Sequence, residues 1–548
     1  MQYPWEKSYP TSLSWSEPLP PPVAVESFLS SAAASSPDKP ALDYYDRIFS
    51  FGELERLAHR VAKGLQDLGV TSGVNVGLHL MNCPHFVAAF FGILYAGGQV
   101  VTFNPGAGRD EFVAQLEDSE IKFLLTGDWQ PQYGDARKVR GRATLVICSL
   151  SDFLPEETVA GLAAAPRQAE GPGPGETRFA DLVDNDGRFA PVRRGDLRDE
   201  VAVIQYTGGT TGSPKGAMLT HANFSAVMDI RTRLSSCPPP DHDFKILCVL
   251  PLWHIFGLVF IMLRAVATRT EIVLHLRFDP GKVIADAAGK RVSTFSGVPA
   301  MYAAIVAHPG FAHADLSSVV SWSSGGAPLP AEVRAEFEKR ARMELREGYG
   351  LTETTSMAVE TLAENQPGVG LPVPGTLVEV VDLEEGNSPM PAGEAGELCI
   401  SGPQVMKGYW NRPAENAEAF RGGRFHTGDI GFVDEEGFVT LIERKKDMII
   451  VGGHNVFPRN IEIALCAMEG VAEAAVIGVP DEDLGEVPKA FIVARPGFEP
   501  PSHGEMCRFL SGRLSTYEIP LTSEVVAALP RAATGKVLKK DLRATSVR

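Results

Sequence analysis

Tyr206-Thr207-Gly208-Gly209-Thr210-Thr211-Gly212-Ser213-Pro214-Lys215-Gly216 follows, one residue on, the apolar run Val201-Ala202-Val203-Ile204. The run reads as a buried strand, and what comes after it concentrates the groups that hold a polyphosphate. Four glycines allow positive φ angles and turn several main-chain N–H groups toward one anion; three threonines and a serine add hydroxyl donors, and Lys215 adds a charge. The alternative is a solvated Gly/Thr turn, which the density of donors and the lysine disfavour. No Gly-Lys-Ser/Thr follows Gly212, so the stretch is not a Walker loop.

On either side of this cradle the hydrophobic pattern alternates between strand and helix. Val74–Leu80, the apolar helix 85–96, Val100–Phe103, Ile121–Leu125 and Thr144–Cys148 set a parallel-sheet rhythm. Residues 23–72 read as largely helical, and the Ala/Gly/Pro-rich segment 163–177 reads as a loop. Beyond the cradle, 244–249, 271–274 and 292–295 are further strand candidates. Short alternating strands over 375–400 suggest a small β subdomain. The charged run Glu443-Arg444-Lys445-Lys446-Asp447 reads as a linker, after which Met448–Val451, a helix over 458–468 and Ala474–Val479 form an α+β module. The fold class expected is α/β: a large N-terminal part of two sheet-and-helix subdomains plus a β subdomain, then a small α+β C-terminal unit. The divisions are 1–443, a hinge at 444–447, and 448–548.

The 548 residues carry a net charge of −17 and 44% apolar residues, which fits a globular multidomain protein and argues against nucleic-acid binding. Seven scattered cysteines without a Cys-x-x-Cys indicate neither a disulfide framework nor a zinc site. Met1–Pro22 holds six prolines and no apolar signal core, so a cytoplasmic location is expected. Ile246–Leu263 is uncharged over eighteen residues, but Pro251, Trp253, His254 and Gly257 within it favour a strand, turn and helix start over a membrane span. Peripheral membrane contact and a homodimer are left open.

Further blocks follow the cradle in order: Pro251-Leu252-Trp253-His254-Ile255-Phe256-Gly257, Ser324-Gly325-Gly326-Ala327-Pro328-Leu329, Gly348-Tyr349-Gly350-Leu351-Thr352-Glu353-Thr354, His426-Thr427-Gly428-Asp429, Glu443–Asp447 and Thr534-Gly535-Lys536. With the cradle they resemble the adenylate-forming enzymes over nearly the whole chain. The wording of 206–212, 402–410 and 445–458 is most similar to bacterial medium- and long-chain fatty acyl-CoA synthetases.

That resemblance implies ATP, Mg²⁺ and coenzyme A as cofactors and co-substrates, a small carboxylic acid as substrate, and a mobile C-terminal lid. The N–H groups and hydroxyls of Thr207, Gly208, Gly209, Thr210, Thr211 and Gly212, with Lys215, would hold the β and γ phosphates, and Thr207 and Glu353 would bind the metal. Tyr349, between Gly348 and Gly350 and followed by Thr352, would face adenine, with Gly325, Gly326 and Ala327 at its edge. Asp429 would take the ribose and Arg444 the ribose or phosphate; a surface ion pair is the other reading of these two. Lys536 would contact the carboxylate and α-phosphate. The lid would turn about Lys446 and bring Gly452, Gly453 and His454 to a pantetheine channel. Trp253, His254, Gly257, Val298 and Ser323 would bound the acyl site, with His254 either catalytic or a satisfied core histidine. Arg424 stands where the family pattern has an aromatic residue, and Asn460 where it has an acid. A saturated medium to long chain is the expected acid. An aryl- or small-acid ligase, a carrier-protein loader and a catalytically silent nucleotide-binding protein are the competing readings.

Overall fold

In the computed structural model of the chain, residues 3–139, 142–162, 176–207, 214–234, 243–364, 366–531 and 537–546 are described. Gly208, Gly209, Thr210, Thr211, Gly212 and Lys536 lie outside them, as does most of the expected 163–177 loop.

Among the described residues the N-terminal part holds an eight-stranded and a nine-stranded sheet. The first runs Gly408–Tyr409, Lys215–Thr220, Val201–Thr207, Gln99–Thr102, Asn75–His79, Phe123–Gly127, Thr144–Cys148 and Glu176–Arg178. Its centre is parallel, and Val201–Thr207 turns back antiparallel onto Lys215–Thr220, pairing Thr207 with Lys215. The second is parallel through Glu271–Leu274, Lys245–Cys248, Thr294–Gly297, Ser321–Ser324 and Leu345–Tyr349. The helix Pro84–Tyr95 is buried at every position within a core cluster that draws on both sheets. A helix apolar all round needs such cover on all sides. Leu377–Val381, Gly396–Ser401, Phe425–Val433 and Val439–Arg444 form the antiparallel β subdomain. The expected α/β architecture is borne out.

Residues 23–72 are helical over about half their length and not throughout. The helices Ser27–Ser35 and Phe51–Asp67 flank a hairpin of Pro40–Tyr44 and Arg47–Ser50, which turns through Tyr45 and Asp46 at φ 51° and 69°. The first of these strands pairs in parallel with Glu271–Leu274, more than two hundred residues away. That long-range pairing, and not local propensity, makes the segment extended. The second helix starts at a capping box, where Ser50 and Glu53 each satisfy the other's main-chain N–H.

No helix among the described residues is long and apolar enough to cross a membrane. The uncharged stretch 246–263 divides into strand, turn and the π-helical Gly257–Leu263.

Glu443 and Arg444 finish a strand of the β subdomain, and the turn Lys445–Asp447 leads to a five-stranded sheet with the helices Pro458–Cys466, His503–Ser511 and Lys539–Ser546. Ion pairs tie the last helix to the turn: Arg543 meets Asp447 at 2.9 Å, and Lys539 lies 2.9 Å from Glu462 and 3.8 Å from Glu443.

His79 and His221 are fully buried, and burial lowers both imidazoles to about 3. His221 Nδ1 accepts a 3.1 Å bond from Val25 N, which requires that nitrogen to be unprotonated. Because the folded value lies below the unfolded 6.5, the unfolded chain binds more protons between the two. Each histidine therefore contributes stability that is present above about pH 6.5 and is lost as pH falls, by about 1.4 kcal/mol per pH unit. The melting temperature is expected to decline from about pH 6.5 toward 4, and His221→Gln is expected to flatten the decline in a pH series of thermal melts.

Candidate active site

The strands Thr294–Gly297, Ser321–Ser324 and Leu345–Tyr349 end side by side, and the segments that leave them line one cavity of about 3150 Å³. Ligands of open α/β sheets bind at such strand ends. Among the sequence-selected residues, Thr207, Lys215, Trp253, His254, Val298, Ser323, Gly325, Gly326, Ala327, Gly348, Tyr349, Gly350, Thr352, Glu353, Asp429, Arg444 and Lys446 all line it. The C-terminal unit adds Arg531 and Val537–Lys540.

Arg531 and Val537 pair with each other as an isolated antiparallel bridge, so both ends of the segment that includes Lys536 lie at the cavity wall. Gly452, Gly453 and His454 are not brought there. They sit at a hairpin between Ile449–Val451 and His454–Val456, with the His454 ring stacked on Tyr517 at 4.5 Å.

Gly257 does not line the cavity either. A Cβ on it would lie 2.2 Å from the Pro251 carbonyl oxygen, so its part is to let the chain fold closely on itself behind Trp253 and His254. His254 caps this turn: its N–H donates to Pro251 O at 3.1 Å, and Nδ1 accepts from Phe256 N at 3.3 Å. Burial lowers its imidazole to about 4, which keeps it neutral near pH 7. Gly350 makes a similar close approach, with Ser356 O 2.3 Å from where its Cβ would be.

Tyr349, Asp429 and Arg444 form one unit. Asp429 faces Arg444 in register across two strands of the β subdomain, with Arg444 Nε 2.7 Å from Oδ1, and the Tyr349 hydroxyl donates to Oδ2 at 2.7 Å. Burial first, then the Asp429 charge, pushes the phenol well above its ordinary range. The ion pair expected as the alternative for Asp429 and Arg444 is present, but in the cavity wall and not on the outer surface. An ionised carboxylate has about four lone-pair directions, so these two partners leave it able to accept from further hydroxyls.

A second unit surrounds Glu353. Its Oε1 accepts from the Tyr409 hydroxyl at 2.7 Å, its carbonyl accepts from Met406 N at 2.8 Å, and the Lys215 ammonium stands 5.2 Å from the centre of the Tyr409 ring. Tyr409 belongs to a two-residue strand paired beside Lys215–Thr220, so the strand that begins at Lys215 positions the residue that steadies the carboxylate. The sequence reading did not select it; its signal was the Gly402–Trp410 wording, taken only as a mark of resemblance.

Among the described residues no group of three or more His, Cys, Asp or Glu could hold a metal alone. The single carboxylate of Glu353, near Tyr409 and Lys215, fits Mg²⁺, which is commonly held by one or two carboxylates and keeps several waters.

The family profile described as AMP-binding enzyme matches residues 29–410, and that described as AMP-binding enzyme C-terminal domain matches 460–536. The chain belongs to the AMP-binding enzyme family. Within the family it is 36% identical to a long-chain-fatty-acid–CoA ligase of Bacillus subtilis (strain 168), over 99% of this chain and 98% of that protein. A feruloyl-CoA synthase of Amycolatopsis sp is 35% identical over 93% and 96%. Among solved structures, ATP-bound MatB from Rhodopseudomonas palustris superimposes with a TM-score of 0.84 at 29% identity, covering 95% of this chain and 99% of that one. The family's C-terminal match begins beyond the Lys445–Asp447 turn.

Proposed function

We propose that the protein is an ATP-dependent fatty acid–CoA ligase. One observation carries this reading: the Tyr349–Asp429–Arg444 unit, the Lys215–Tyr409–Glu353 unit and the C-terminal stretch 537–540 all face one cavity. The 36% identity to a long-chain-fatty-acid–CoA ligase supports the fatty acid. The feruloyl-CoA synthase at 35% supports an aryl acid as the second reading.

A carboxylate is a poor electrophile, so the acid oxygen attacks the α-phosphorus of ATP, the bond to the β-phosphate breaks, and pyrophosphate leaves. The CoA thiol then attacks the acyl carbon, its proton passes to solvent, and AMP leaves. Lys215 and the cradle hold the β and γ phosphates. Glu353, with the Thr207 hydroxyl, would hold Mg²⁺, which supplies charge neutralisation for the departing phosphates. Tyr349 lies against adenine, with Gly325, Gly326 and Ala327 at its edge. Asp429, oriented by Tyr349 and Arg444, accepts from the ribose hydroxyls. Lys536 donates to the carboxylate and α-phosphate oxygens as charge develops there. Neutral His254, with Trp253, Val298 and Ser323, borders the acid.

The 1–443 domain and the 448–548 lid turn relative to one another about 444–447, with Lys446 as the pivot. The rotation removes Lys536 from the acyl-adenylate and brings Gly452, Gly453 and His454 over it, along the path of the pantetheine arm. Proximity to an activated acyl group then suffices for thiol attack.

Pyrophosphate release measured over straight-chain, aromatic and short acids, with and without CoA, tests the reading. Release with fatty acids that yields acyl-CoA supports it, and a preference for aromatic acids moves the assignment to the second reading. Release indifferent to CoA points to a carrier protein, and no release with any acid leaves a silent nucleotide-binding protein.

A further inference from the structure

The wall of the cavity beside Tyr349 holds a charged pair that the chemistry above does not use. Arg231, on the helix His221–Leu234, is 9% exposed, and its guanidinium is hydrogen-bonded to Glu360 Oε1. Its Cζ lies over the Phe260 ring, 4.3 Å from the ring centre. Phe260 packs edge-on against Phe256 at 5.1 Å, and Phe256 in turn lies 3.1 Å from where a Cβ on Gly325 would be. On the other side, Glu360 Cγ is 3.6 Å from where a Cβ on Gly348 would be. Arg231, Glu360, Phe256 and Phe260 all line the cavity.

Stability does not account for this arrangement. A buried ion pair recovers little more than its own desolvation cost, and apolar residues of similar size often serve as well or better. Arg231 Nε, moreover, is buried with no hydrogen-bond partner among the described residues. An N–H left unpaired in an apolar wall is costly, and a hydrocarbon chain laid against it would leave it so. The pair is neutral overall, so it has no surplus charge to balance a second carboxylate. A hydroxyl fits both members, since its oxygen can accept from Nε–H while its proton is donated to the Glu360 carboxylate.

We infer that Arg231 and Glu360 form a specificity site for the acid substrate, selecting acyl chains that carry a hydroxyl group over unsubstituted chains of equal length. The inference rests on the acid-activating reading and names the class of acid within it. A site built to hydrogen-bond a substrate hydroxyl discriminates strongly against the analogue that lacks it, because its own polar groups are then left unpaired.

The test compares kcat/KM for pyrophosphate release with matched straight-chain, terminally hydroxylated and dicarboxylic acids over a range of lengths. It uses the wild type, Arg231→Lys, and the double variant Arg231→Met with Glu360→Gln. Lysine keeps the charge beside Glu360 but has no Nε–H to offer; the double variant removes both charges and avoids stranding one. The wild type is expected to favour the hydroxylated member of at least one pair by about tenfold or more, and both variants to bring that ratio close to one. Equal use of both members by the wild type, a preference for the dicarboxylic acids, or a ratio unchanged in folded variants would overturn the inference. The shift in melting temperature produced by each acid is a second readout. If no acid releases pyrophosphate, the enzyme reading fails, while a larger shift with hydroxylated acids that the variants abolish still supports the site, and equal shifts overturn it.

Discussion

Replacing Lys536 with alanine is expected to lower acid-dependent pyrophosphate release by about a hundredfold to a thousandfold, the scale of losing one preorganised donor to developing charge. The lysine is covalently next to Val537, which lines the cavity and pairs with Arg531 across the intervening segment. Val537, Leu538 and Lys539 continue along the same wall, and Lys539 and Arg543 fasten the helix that follows to Glu462 and Asp447. The anchorage holds Val537–Lys539, which follow Lys536 in the chain, at the cavity wall. The effect should be confined to the first half-reaction. With synthetic acyl-adenylate supplied, the variant is expected to form acyl-CoA at close to the wild-type rate, because the proposed rotation of the C-terminal unit would carry the lysine away before the thiol attacks. Equal loss in both halves would mean that Lys536 supports the fold of the lid and not adenylation.

The second large effect is expected at Glu353. Glu353→Gln keeps the shape but removes the charge, and pyrophosphate release should fall by about a hundredfold, with the Mg²⁺ concentration for half-maximal rate displaced upward. Tyr409→Phe removes only the hydroxyl that fixes Oε1, a hydrogen bond to a charged group worth about 1.5–3 kcal/mol. A displacement of about tenfold in the same Mg²⁺ midpoint is expected from it, and in the Glu353→Gln background the tyrosine substitution should add little. Titration of the free protein with Mg²⁺ and a non-hydrolysable ATP analogue, followed by calorimetry, gives the same comparison without turnover. An unchanged midpoint in Tyr409→Phe would show that its ring merely packs beneath Lys215.

The parts of this molecule that the sequence declared were those where local chemistry and long-range position coincide. Thr207 and Lys215, at the two ends of the glycine- and threonine-rich stretch, and Tyr349, Glu353, Asp429 and Arg444 stood in blocks whose order carried the resemblance, and all six line one cavity. The alternation that gave the two parallel sheets was also visible, because buried strands and apolar helices differ in period. The hairpin 40–50 was not legible, since its strand character comes from pairing with Glu271–Leu274 across the whole domain. Gly257 stood in the right block, but its reason is a carbonyl 2.2 Å from its absent Cβ, which no spacing reveals. Tyr409 and Arg231 escaped for one shared cause. Their meaning depends on partners 56 and 129 residues away, Glu353 and Glu360, and each alone reads as an ordinary core tyrosine or helix-surface arginine. Gly452–His454 sits outside the cavity, where only the proposed rotation of the lid would bring it to the chemistry.

The most direct measurement of the central claim is the fate of the carboxylate oxygen. With the acid labelled by oxygen-18 in its carboxyl group, and ATP and CoA unlabelled, attack of the carboxylate on the α-phosphorus leaves one acid oxygen on that phosphate when the thiol displaces AMP. The account predicts AMP heavier by the mass of one labelled oxygen, pyrophosphate without label, and acyl-CoA that keeps the other labelled oxygen. Unlabelled AMP, or ADP and phosphate in place of AMP and pyrophosphate, would contradict it.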